Sequence, residues 1–198
     1  MTVTAEQVRQ LREQTGAGMM ECKKALMDAA GDVTKAVEML RKSGVARAET
    51  RAGRTASEGL VDSYIHPGNR VGVLIEVNCE TDFVARTPEF QELVRNLAMQ
   101  VAAAGAEYLR REDVPPERAA AEREIYAAQL AGQGKPPAIV DKIVQGRLDK
   151  FFSEICLLEQ PYIRDDKTTV GDLVRQASAR TGENIQVRRF ARFRLGQE

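Results

Sequence analysis

The chain has 198 residues, 43% of them apolar and 29% charged, the proportions of a folded protein of one medium domain or a domain plus a small module. Its 29 basic and 29 acidic residues cancel, so no overall field recruits nucleic acid; no apolar run reaches membrane length and no signal-peptide pattern opens the sequence, which points to a cytoplasmic chain. Cys22, Cys79 and Cys156 are far apart with no Cys-x-x-Cys pair, which argues for reduced thiols and against a zinc site or disulfide framework.

Thr4, with Gln7 three residues on, has the capping-box pattern and opens a first helix with Ala5, Val8 and Leu11 on one face. Thr15-Gly16-Ala17-Gly18 breaks it, because two glycines permit backbone angles that other residues resist. The spacing predicts a second helix with Met19, Cys22, Ala25, Leu26 and Ala29 inward and Lys23 and Lys24 outward. Met19 and Met20 are adjacent and cannot both face inward; one is expected in the core and the other exposed as an adaptable apolar contact. Asp32 caps a third helix carrying Val33, Ala36, Val37 and Leu40, with Gly44 as its stop. Residues 1–53 thus read as a three-helix bundle, a docking module, and residues 54–198 as a separate core. Arg41, Lys42, Arg47, Arg51 and Arg54 stand against one acid, Glu49, on either a solvated linker helix or a phosphate-binding patch.

Gly59 to Ile65 alternates, Pro67-Gly68-Asn69 is a turn, and Val71, Val73, Ile75 and Val77 alternate again, which predicts an antiparallel hairpin. That geometry disposes of a Cys79–His66 nucleophile pair. Eight residues of strand hold the two groups roughly 25 Å apart, beyond hydrogen-bond reach. His66 then belongs to the exposed turn, and Cys79 is a small buried side chain. Thr81-Asp82-Phe83-Val84 follows on a short connection into a helix capped by Thr87, with Pro88 at its first position and Phe90, Leu93, Val94, Leu97, Ala98 and Val101 inward. Two readings of the connection stand open. Phe83 is a core staple with Asp82 capping local N–H groups, or Phe83 is an anchor for another protein with Asp82 as an aimed charge beside it.

Pro115-Pro116 opens a helix with a thin apolar stripe of Ala119, Ile125 and Ala128. Gly132 to Pro137 is a break, and Ile139/Val140, Ile143/Val144, Leu148, Phe151/Phe152 and Ile155 recur as a long buried helix despite Gly146. Asp165-Asp166-Lys167 reads as a polar turn without enough ligands for a metal. Thr169 and Asp172 cap a last helix (Leu173, Val174, Ala177) ended by Gly182, and Ile185 to Leu195 is a terminal strand. Its Arg188, Arg189, Arg192 and Arg194, interleaved with Phe190 and Phe193, either suit single-stranded RNA stacked on aromatics or form a sheet strand with arginine stems over one face.

Three blocks carry a resemblance. Leu11 to Leu26 (LREQTGAGMMECKKAL) resembles the opening of the bacterial elongation factor Ts family. Tyr64-Ile65-His66, Arg70 to Leu74 and Asn78 to Val84 (NCETDFV) resemble its core signature, and Glu183-Asn184-Ile185 with Val187 to Phe190 its C-terminal end. Together they span nearly the whole chain in order. The resemblance implies an α+β fold, with a ubiquitin-associated-like three-helix bundle ahead of an antiparallel sheet packed with helices. It implies a guanine-nucleotide exchange factor for elongation factor Tu, in its GDP-bound and nucleotide-free forms, with no cofactor and no chemistry of its own. In the family the aromatic of the Thr-Asp-Phe-Val motif enters the partner's GTPase domain and the preceding carboxylate helps disturb its magnesium site. Carried over, the working residues are Thr81, Asp82, Phe83 and Val84. The docking turn of the N-terminal module falls on Arg12, Thr15, Gly16, Ala17, Gly18, Met19, Met20 and Lys23. Compact members can form homodimers through C-terminal sheets, while the long helical arm of larger members has room here only as a short helical pair between Pro115 and Lys150. An RNA-binding or ribosome-associated module using the terminal strand is the alternative.

Overall fold

Thr4 opens the chain's first element as the residue spacing predicts. In the computed structural model, which describes residues 3–131, 133 and 136–197 and the side chains of all of these except 45–49, its hydroxyl accepts from Gln7 N at 3.2 Å while Gln7 Oε1 accepts from Thr4 N at 3.0 Å. Helix α1 (Ala5–Thr15) ends at Gly16 in the left-handed region (φ 67), whose N–H donates to Arg12 O at 2.8 Å. Helices α2 (Met19–Asp28) and α3 (Val33–Arg51) complete the bundle. It has its own core of Val8, Leu11, Cys22, Ala25, Leu26, Ala29, Ala36 and Leu40.

Several expectations fail in this bundle, where Val33, grouped with the apolar positions of the third helix, is 42% exposed. Met19 does not face the core: it is 48% exposed and Met20 74%, because α2 begins at Met19 and its first turn projects beyond the packed face. Gly44 does not stop α3, which continues through it to Arg51. The glycine is needed for space: a Cβ there would lie 3.1 Å from the Cβ of Ala179, so small size at a crossing, not a C-cap, explains the residue. The side chain of Arg47 and the break residues Gly132, Gly134 and Lys135 lie outside the described residues.

Strands β1 (Glu58–Ile65) and β2 (Val71–Cys79) form the expected hairpin, closed by His66 N–H on Val71 O at 2.9 Å. Val73, Ile75, Val77 and Cys79 are buried on alternate positions. The terminal strand β5 (Gln186–Arg194) adds to β2, giving the order β1-β2-β5. Gly59 makes the hairpin possible at its base, where it has φ 144 and a Cβ would overlap the Val77 carbonyl and sit 2.7 Å from Asn78 Cα.

After the one-turn helix α4 (Asp82–Ala85), helix α5 (Pro88–Ala104) is capped by Thr87, whose hydroxyl accepts from Phe90 N at 3.3 Å. Helix α6 (Pro116–Leu130) pairs with α7 (Pro137–Ile155). The stripe on α6 differs from the expected one: Ile125 and Ala128 are exposed, and Tyr126 and Leu130 instead pack on Val140, Ile143, Val144 and Leu148. An alanine-rich helix gives too weak an apolar contrast to fix its inner face from sequence. Ile139, also expected inward, is exposed near the start of α7. Ahead of α6, Arg111 donates to both Glu159 oxygens at 2.6 Å and to Asp149 at 2.8 Å, and its guanidinium lies 4.8 Å from the Phe152 ring centre. This bidentate clamp holds the residues leading into α6 against α7 and the short turn Leu157–Glu159.

Residues 165–167 are not a turn. They belong to β4 (Asp165–Thr169), paired antiparallel with β3 (Pro161–Tyr162), and the chain reverses before them, at Ile163-Arg164. The Asp165 carboxylate accepts from Thr168 Oγ1 at 2.7 Å and Lys167 N at 3.3 Å, so its polarity serves the hairpin. Helix α8 (Val170–Thr181) ends at Gly182 (φ 77), as expected. The described residues divide into two compact units, one drawn from Met1–Leu60, Glu76–Val94 and Asp172–Arg188 and the other from Val61–Ile75, Arg95–Gly171 and Arg189–Glu198.

Candidate functional site

The Thr81–Val84 stretch is held from several directions. Strand β2 delivers Cys79 into the core, where its thiol donates to Thr81 O at 3.1 Å. Burial first, and then the nearby Glu183 charge, push that thiol up to about 11. Such a thiol is a packing group and not a nucleophile. Thr81 is extended (φ −127, ψ 153) and caps α4, its hydroxyl accepting from Val84 N at 3.4 Å. The cap is therefore Thr81, not Asp82. On the far side, Thr87 Oγ1 donates to Val84 O at 2.8 Å, joining α4 to the start of α5.

Phe83 is 80% exposed, and Ala85 and Phe90 are the buried residues of this segment. The core-staple reading of Phe83 fails on that value. The helical turn explains why: with Ala85 packed inward, Phe83 two residues earlier is rotated about 200° away from it. Asp82 carries its charge on the same turn, paired with Arg86 Nη2 at 2.8 Å across i,i+4. Both side chains are substantially exposed, so water competes for the pair and it contributes little to stability.

The deepest support comes from the other end of the sequence. Glu183 Oε2 accepts from Glu80 N at 3.0 Å and Thr81 N at 3.1 Å, and Glu183 Oε1 accepts from Thr81 Oγ1 at 2.6 Å. The sequence singled out Glu183 only within a block of resemblance and gave it no function. No local signal could have found it, because its partners lie about a hundred residues away.

The second expected surface is the turn between α1 and α2. Thr15 Oγ1 donates to Leu11 O at 2.7 Å and accepts from Ala17 N at 3.3 Å, and Gly18 N donates to Glu21 Oε2 at 3.2 Å. Arg12, Gly16, Gly18, Met19, Met20 and Lys23 are exposed and Thr15 and Ala17 half-buried. Arg9, Arg12, Glu13, Gly16 and Met19 line an open groove of about 580 Å³.

Among the described residues no group of three His, Cys, Asp or Glu could hold a metal, and no helix is long and apolar enough to cross a membrane. Fold and site together describe a class: an α+β protein whose exposed aromatic and methionine surfaces are of the kind that other proteins bind. The family model for elongation factor Ts matches residues 2–197. Over 195 residues, 98% of this chain, the chain is 60% identical to elongation factor Ts of Moorella thermoacetica and 57% identical to that of Carboxydothermus hydrogenoformans, covering 96% and 90% of those proteins. It is 56% identical to elongation factor Ts of Caldanaerobacter subterraneus, with 98% of each chain covered. The chain belongs to the elongation factor Ts family.

Proposed function

We propose that this chain is a guanine-nucleotide exchange factor that promotes GDP release from elongation factor Tu, with Thr81, Asp82, Phe83 and Val84 as the working element. The observation that carries the reading is Phe83 at 80% exposure on a helical turn fixed from below, an aromatic kept out of its own core at the cost of leaving apolar surface in water. Phe83 enters the partner's GTPase domain. Asp82 exchanges Arg86 for contacts near the partner's magnesium and nucleotide, and Val84 supports the turn. The α1–α2 turn, from Arg12 through Thr15, Gly16, Ala17, Gly18, Met19 and Met20 to Lys23, docks on the same partner.

Such a factor weakens nucleotide binding only as far as nucleotide weakens its own binding. A 10⁴-fold effect needs about 5.5 kcal/mol of differential stabilisation, and one aromatic anchor supplies about 2 kcal/mol or more. Magnesium displacement beside Asp82 and docking by the N-terminal module supply the remainder. The test is release of labelled GDP from purified elongation factor Tu. The chain accelerates it, and Phe83→Ala slows the accelerated release roughly 30-fold (~2 kcal/mol) with an unchanged melting temperature, since the ring buries little surface within its own chain. No acceleration by the unmodified chain would overturn the reading.

A second copy is a further proposed partner. Val61, Ile65, Leu74, Phe193 and Leu195 are exposed apolar residues of the hairpin and of the terminal strand and its end, a set suited to a two-fold sheet contact. Sedimentation of the chain and of Phe193→Glu decides it: a dimer that the substitution splits is the expected result. RNA affinity with a steep salt dependence would instead assign that strand to nucleic acid.

A further inference from the structure

Residues 183–184 and 80–81 hold each other reciprocally. Glu183 takes three donors from Glu80 and Thr81, at 2.6 to 3.1 Å. In return the Glu80 carboxylate accepts from Asn184 N at 2.6 Å. Asn184 extends the clasp to the segment leaving α3, its Nδ2 donating to Ala52 O at 3.3 Å and Arg54 O at 2.8 Å. Arg54 also approaches Glu80, at 3.6 Å. These bonds join the segment leaving α3 to the base of the α4 turn.

We propose that Glu183 is a positioning residue for nucleotide exchange: its carboxylate fixes the Glu80-Thr81 backbone and so sets the direction in which Phe83 is presented before any partner arrives. The inference deepens the exchange reading and rests on it. A four-residue helix has no stability of its own, since one turn fixes several dihedral angles for a single backbone hydrogen bond. Its orientation must come from its anchors. Where β2 ends and α4 begins, the N–H groups of Glu80 and Thr81 both point to the Glu183 carboxylate. An ionised acceptor taking two N–H groups and a hydroxyl makes stronger, shorter bonds than a neutral one, and it fixes three donors with one side chain. The Thr81 hydroxyl is thereby oriented as well: it donates to Glu183 and keeps a lone pair for Val84 N, which caps the helix bearing Phe83. Ordering completed before binding is not charged against binding, and that is how a residue remote from the partner raises the exchange rate.

The test uses the full chain and elongation factor Tu loaded with labelled GDP. Glu183→Ala is expected to slow release at saturating factor roughly tenfold, with KM little changed because the N-terminal module still docks. Glu183→Gln, which keeps the shape but loses the charge and one acceptor, slows it less and serves as the second variant if the alanine chain folds poorly. In a Phe83→Ala background the Glu183→Ala effect shrinks below about twofold, because a group acting through the ring has nothing left to position. An equal slowing in both backgrounds would assign Glu183 to general stability and overturn the proposal. Should Phe83→Ala itself be without effect while the unmodified chain still accelerates release, the role of Phe83 falls and this inference with it; no acceleration by the unmodified chain is the separate failure of the exchange reading. A partner-free measurement is independent of that reading. Amide hydrogen exchange at Glu80 and Thr81 accelerates at least about tenfold in Glu183→Gln, and unchanged protection there would refute the positioning role.

Discussion

The α4 turn and the α1–α2 turn are both short connections that expose apolar side chains, yet they are restrained in opposite ways. At α4 the backbone is fixed by Glu183, by the Cys79 thiol and by Thr87, and the exposed group is a ring with few internal rotations. At the α1–α2 turn, two glycines flank Ala17, the restraints are side-chain bonds of 2.7 to 3.3 Å to near neighbours, and the exposed groups are Met19 and Met20. A stiff aromatic suits insertion at one defined place, because little entropy remains to be lost. Flexible thioethers suit adaptation to a surface. One molecule thus presents an aimed group and an accommodating one, and their mutational sensitivities should differ in size and kind.

The comparison breaks most sharply at the base of the stiff region. Gly59→Ala places a methyl group against the Val77 carbonyl, two residues before Cys79, and is expected to cost on the order of 3 kcal/mol in a denaturant titration. Cys79 probes the same region chemically. With its thiol raised from 9.0 to about 11, alkylation of the folded chain at pH 8 should run roughly a hundredfold slower than in the unfolded chain, before steric shielding adds to the difference. Because the folded thiol keeps its proton to higher pH, its contribution to stability is intact below about pH 9 and declines as pH rises toward 11. The Phe83→Ala loss of roughly 30-fold in GDP release comes next. On the adaptable side, Met20→Ser should weaken association only a few-fold (about 1 kcal/mol or less), because neighbouring methionines reorganise, and titration calorimetry measures it. A Met20 effect as large as that of Phe83 would erase the distinction. Smallest is Arg86→Ala, which releases Asp82 from an exposed pair and should move thermal stability by less than about 0.5 kcal/mol.

Much of the fold was legible because its signals are short in sequence. Thr4 with Gln7, Thr87 with Pro88, the Pro67–Asn69 turn and the alternation of Val71 to Val77 each act within a few residues, and each appears as expected. The failures share a different cause. Gly44 looked like a helix end, and only the passage of Ala179 beside it shows why it is small. Ile125 looked inward on α6, and only the opposing face of α7 selects Tyr126 and Leu130 instead. Of the candidate site, the sequence marked Phe83 as important while leaving its direction open between core and solvent.

The amino-acid sequence by itself determined where most helices and strands begin and end, which residues cap them, and which family the chain resembles, because hydrogen bonds to near neighbours and apolar periodicity are local properties. Tertiary structure alone decided that Phe83 faces outward, that Glu183 holds the turn beneath it, and that the buried Gln100 amide donates to Gln160 Oε1 at 3.2 Å. These depend on segments dozens to more than a hundred residues apart meeting in space, and burial together with hydrogen-bond satisfaction is decided only when they do.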